Sequence, residues 1–120
     1  MVIAYWIVAG LLALVFLAAG LSKLVKSEKD LRDSGILPER RSLASERIIG
    51  ALEVIGAVGL IVPPLTSIAV ILAPVAAIAL AVLMIIAVVD HVQNKEPYVP
   101  AAALSAASIV VAILGFLAWI

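Results

Sequence analysis

Four long apolar runs, at residues 2–25, 45–62, 67–91 and 98–120, limit what this chain can become. Each is near the ~20 residues that a helix needs to cross a hydrocarbon core of ~30 Å. The runs are continuous rather than alternating, so helices and not barrel strands are expected. Of the 120 residues, 66% are hydrophobic, whereas a soluble domain is closer to half apolar. So short a chain has too much surface to hide that excess in a core. The reading is an all-α integral membrane protein: a four-transmembrane-helix antiparallel bundle forming a single domain over residues 1–120, with a loop at about 26–44.

Prolines and hydroxyls suggest where the spans stop. Pro63-Pro64 is expected to force the chain out of helix, and Thr66 or Ser67 to cap the next one. Pro74 cannot donate to the Val70 carbonyl, which predicts a kink in the third span. Pro38 is placed to start a helix that runs on into the second span.

Charge placement sets the direction. Lys26, Lys29, Arg32, Arg40, Arg41 and Arg47 lie in or beside the first loop, Lys23 ends the first span, and Lys95 lies between spans three and four. Neither the residues before Lys23, nor the Pro63–Thr66 turn, nor the residues after Lys95 carry a Lys or Arg. The positive-inside rule then makes both charged loops cytoplasmic and puts the N and C termini outside, in a multi-pass protein of the cell membrane. Trp6 and Trp119 fall near the outer interface and Tyr98 near the inner one, as aromatic anchors do. The first charge follows the first apolar run instead of preceding it, so that run is read as a retained span and not a signal peptide.

Other classes are excluded by composition. Formal net charge is zero, which implies no nucleic-acid partner. There is no cysteine, so thiolate metal sites and iron–sulfur clusters cannot be built, and one histidine cannot make a bis-histidine haem site within a protomer. No metal ligand set, catalytic residue or covalently bound cofactor is assigned. The first loop, KSEKDLRDSGILPERRS, mixes both signs and reads as a solvated linker.

Helices in lipid associate through close packing of small residues. Candidate faces are Trp6, Ala9, Ala13, Phe16, Gly20 and Lys23 in span one, and Gly50, Glu53, Gly56 or Ala57, and Leu60 in span two. Span three offers Ala73, Ala77, Leu80, Met84, Ala87 and His91. Span four offers Ala101, Ser105, Ser108, Ala112, Gly115 and Trp119. Glu53 is the one acid deep in a span. Counting back from Pro63 puts it ~15 Å below the outer boundary, where a carboxylate costs ~3 kcal/mol or more. It is therefore expected to face inward and to hydrogen-bond to Ser108. Lys23 and His91 are expected at the cytoplasmic rim, Lys23 more than ~10 Å from the depth of Glu53. Glu53, Ser108, Ser105, His91 and Lys23 are the candidate ligand-binding residues.

Three stretches resemble the DoxX-like family of small bacterial membrane proteins: AGLSKL closing span one, GALEVIGAVGLIVPP in span two, and LAPVAAIALAVLMIIAVVDHV in span three. Gly20 to Leu24, Glu53 with Gly56, Gly59 and Pro63, and His91 stand at the matching positions. Many members carry an arginine near the end of the fourth helix; this chain has none after Lys95. The resemblance implies a four-helix bundle, and a non-catalytic subunit or quinone- or lipid-binding bundle associated with a membrane redox system. Its implied partners are membrane lipid and a soluble redox protein on the cytoplasmic side, and it leaves a homo-oligomer open. A quinone-linked oxidoreductase subunit is the alternative. A small transporter ranks third, since proton relays chain several deep charges and only one is legible here.

Overall fold

The computed structural model describes residues 1–120. Four long helices carry the apolar runs: α1 (Val2–Val25), α3 (Leu43–Thr66), α4 (Leu72–Gln93) and α5 (Val99–Trp119). A short helix, α2 (Glu28–Asp33), lies in the first loop. All four long helices are long and apolar enough to cross a membrane. The outward faces bear side chains such as Ile3, Ile7, Leu11, Ile55 and Ile86, all largely exposed. In water that surface would aggregate; in a bilayer it meets acyl chains.

The helices pack in a ring: α1 against α3 and α5, and α4 against α3 and α5. The small-residue faces are the buried ones. Ala9, Ala13, Gly50, Gly56, Ala73, Ala77, Ala101, Ala112 and Gly115 all point inward, around Tyr5, Phe16, Leu60, Leu80 and Val111. The α1–α3 crossing is tightest at Gly20 and Gly50. A Cβ built on Gly20 would lie 2.6 Å from the Gly50 carbonyl oxygen, and one on Gly50 would lie 2.8 Å from the Gly20 oxygen. Backbone thus meets backbone, as small residues permit in membranes.

The second span does not end at Pro63-Pro64. Helix α3 continues to Thr66, and Ser67 closes it in the left-handed region at φ 58°. Proline removes a donor, which leaves the Leu60 carbonyl without the N–H that residue 64 would otherwise supply. The Tyr5 hydroxyl of α1 donates to that oxygen at 2.6 Å. A partner 55 residues away therefore supports the continuation.

The third span begins later than expected. Thr66 and Ser67 do not cap it; the N-cap position is Ile71, without a side-chain cap. Pro74 then falls in the first turn of α4, where N–H groups lack helical partners anyway, and so has no mid-span hydrogen bond to remove. It packs instead against Gly115 of α5.

Nor does Pro38 start a helix into span two. Helix α3 begins at Leu43, with the Ser42 hydroxyl accepting from the Ser45 N–H. The first loop is also more than a solvated linker. Leu31 and Leu37 are fully buried, and Arg32 donates to the carbonyls of Pro38 and Arg41. Ser27 caps α2, with Glu28 and Asp30 in its first turn, where the helix dipole favours acids.

Candidate functional site

Two helix directions bring the deepest acid to a base. In α1 and α3 every Cα–Cβ bond leans toward its own N-terminus. The helices are antiparallel, so Lys23 leans back along α1 into the bundle while Glu53 leans back along α3 toward the charged end. Lys23 is three residues past Gly20, and Glu53 three past Gly50, so their backbones are offset by ~9 Å along the bundle. The two side chains close that gap: Lys23 Nζ donates to Glu53 Oε1 at 2.5 Å. Glu53 is 2% exposed and Lys23 16%.

This corrects the expectation that Lys23 stays at the rim, away from Glu53. Rise alone estimated the backbone offset, but it omitted the reach of two long side chains pointing toward each other. Running α3 on to Thr66 also shifts its apolar stretch, leaving Glu53 ~20 Å from that helix end. The predicted Glu53–Ser108 bond does not form. Ser108 is buried, and its hydroxyl donates to the Leu104 carbonyl of its own helix at 2.7 Å. In a helix that local acceptor is always within reach.

A cavity of about 600 Å³ lies under the first loop, at the charged end of the bundle. Lys23, Glu53 and His91 line it, as does Leu104; Ser105 and Ser108 are not among its walls. Apolar walls come from Ile49, Leu83, Met84 and Ile86. Four further charged residues face it: Arg41 from the loop, Glu46 from the first turn of α3, and Asp90 and Glu96 at its mouth. Glu46 is only 1% exposed. It precedes Glu53 by seven residues, two helical turns, so both acids share one face of α3. That spacing is legible in the sequence, but Glu46 stands at the start of the second apolar run, where a charge by itself calls for no partner.

Ion pairs at the cavity mouth hold the loop in place. Arg40 donates to both carboxylate oxygens of Glu96, at 2.7 Å each, and to Asp90 at 2.6 Å. His91 Nδ1 lies 2.8 Å from Glu96 Oε1. The Arg40 hydrogen bonds, then that of His91, pull the Glu96 carboxyl down to about 2, and Glu96 with Asp90 raises the Arg40 guanidinium. Asp90, His91 and Glu96 bring ligand atoms within 4.8 Å of one another. The Arg40 cation already occupies both acids, so the cluster reads as a latch. Arg47 completes this end, donating to the Lys23 carbonyl at 2.9 Å and to the Leu24 carbonyl, where a cation suits the C-terminus of α1.

The model of the DoxX-like family matches residues 7–115. No curated protein matches the chain, and no solved structure does.

Proposed function

The chain belongs to the DoxX-like family, and from that premise we propose that it is a non-catalytic membrane subunit whose cavity holds a quinone for a membrane redox system. The observation that carries this reading is a mixed cavity of about 600 Å³ with a buried Lys23–Glu53 pair on its wall. Such a site suits an amphipathic ligand: a flat ring against Leu83, Met84 and Ile86, with its oxygens among the polar side chains of the wall. Apolar walls with a few placed polar groups are the usual make-up of small-molecule sites. Quinone oxygens accept hydrogen bonds, and Lys23, Arg41 and His91 are donors on the wall that fit them. The chain has no cysteine and one histidine, so its share of the work is binding and orientation, and a soluble partner at the loop side would bring the electrons. We propose the cell membrane as its location, a reading supported by the four apolar helices and the one-sided placement of Lys and Arg.

The experiment is extraction with native lipid, followed by mass spectrometry of what co-purifies. Stoichiometric quinone in the wild type, lost in Lys23→Met with the fold intact, supports the reading. Recovery of phospholipid alone, in both proteins, refutes it in favour of a lipid-holding bundle.

A further inference from the structure

We propose that Arg41 and Glu46 form a second polar pole of this cavity that takes a hydroxyl group, making the site selective for a reduced aromatic diol over the corresponding dione. The inference rests on the reading of the cavity as a quinone site and adds which redox form it holds.

The two side chains attract but do not satisfy each other. Arg41 Nε lies 3.6 Å from Glu46 Oε2, beyond hydrogen-bond distance. Both atoms are buried, and neither has a hydrogen-bond partner in the protein. Unpaired buried polar atoms are rare and costly, more so when charged. The two residues line the same cavity as Lys23 and Glu53, with these atoms directly behind its wall.

What such a pair recognises follows from its donors and acceptors. The guanidinium only donates and the carboxylate only accepts. A hydroxyl does both: it can accept from Arg41 Nε–H and donate to Glu46 Oε2. A carbonyl oxygen only accepts; it would answer Arg41 and set its lone pairs against those of Glu46. The Lys23–Glu53 pole differs: its acceptor is already met by the Lys23 hydrogen bond, and the ammonium keeps donors that serve a hydroxyl or a carbonyl alike. The two acids are seven residues apart, ~10 Å along α3. That is the span of a six-membered ring with para hydroxyls and one hydrogen bond of ~2.7 Å at each end. Selectivity for O–H over C=O therefore rests on the Arg41–Glu46 pole. No electron moves in this proposal; the cavity only discriminates between two forms of one molecule.

The test uses the full chain in nanodiscs, with a short-tail benzoquinone and its anaerobically reduced hydroquinone, each titrated calorimetrically. The expected result is hydroquinone binding at least about tenfold tighter, as sites built to pair a hydroxyl reject analogues lacking it. Glu46→Gln, close in shape, supplies an amide N–H that suits a carbonyl and should erase or invert the preference. Arg41→Met should weaken both forms. Equal binding of both forms by the wild type overturns the inference and leaves the quinone reading standing. So does an unchanged preference in Glu46→Gln. Binding of neither form removes the quinone reading itself.

Discussion

The Tyr5 hydroxyl donates to the Leu60 carbonyl, the acceptor that Pro64 cannot serve because proline has no N–H. A helix carrying two consecutive prolines is thus supported by a side chain of its neighbour. Tyr5→Phe should leave that buried oxygen unpaired and cost ~1–3 kcal/mol. In a Pro64→Ala background the new N–H reaches Leu60, and the same substitution should cost far less. Reversible unfolding in mixed micelles measures both; equal losses in the two backgrounds would exclude this role for Tyr5.

Lys23 and Glu53 form a buried pair whose members suffer differently when separated. Removing one partner of such a pair typically costs ~3–5 kcal/mol, while replacing both can be neutral. Lys23→Met strands a carboxylate that is 2% exposed. Glu53→Gln leaves an ammonium that can snorkel toward the loop side. The expected order of stability is wild type near the Lys23→Met/Glu53→Gln double variant, then Glu53→Gln, then Lys23→Met. A double variant as unstable as the sum of the singles would contradict the pairing.

Two glycines of α1 should respond oppositely to alanine. At Gly20 the new methyl would press on the Gly50 carbonyl, which is backbone and cannot swing aside. The helices must part, at ~1–3 kcal/mol, and the Lys23–Glu53 contact weakens with them. Gly10 has open space around its Cβ position, in an apolar groove shared with Leu14, Leu17 and Val58. Gly10→Ala should be neutral or stabilise by up to ~1 kcal/mol through helix propensity. Thermal melts of the two variants decide it.

The latch at the cavity mouth sets a pH window. Glu96 titrates at about 2 when folded, below its ordinary 4.5, because Arg40 and His91 donate to its carboxylate. A depressed carboxyl stabilises the fold fully above the unfolded value and loses that contribution as pH falls through the folded one. The latch should therefore hold throughout neutral and mildly acidic conditions and open between about 4.5 and about 2. Carbon-13 shifts of the Glu96 carboxyl should give a midpoint near 2, moving up in Arg40→Met. A wild-type midpoint near 4.5 would rule the latch out.

Orientation is checked most directly with single cysteines. Ser34 lies in the charged first loop and Thr66 at the opposite end of α3. With that loop cytoplasmic, an impermeant thiol reagent applied outside labels position 66 and spares position 34. The reverse pattern would invert the bundle.

Sequence alone determined the number of membrane helices and which face of each turns inward. Those properties are local. Lipid rewards apolar length, and the helical period puts Ala9, Ala13, Phe16 and Gly20, or Ser105, Ser108, Ala112 and Gly115, on one side whatever the partner. Even Glu53 facing inward follows from the cost of placing it in hydrocarbon. Its partner did not follow. Lys23 lies 30 residues away and Tyr5 lies 55 residues from Leu60, and both contacts depend on the register between α1 and α3. That register is set where Gly20 meets Gly50. Only the packed structure revealed that two antiparallel side chains lean together across ~9 Å of helix. Only there, too, does a tyrosine carry α3 past two prolines, and do Arg41 and Glu46 face one cavity just out of each other's hydrogen-bond reach. Distances between side chains on different helices are properties of the assembled bundle, since rise and period act along a single helix.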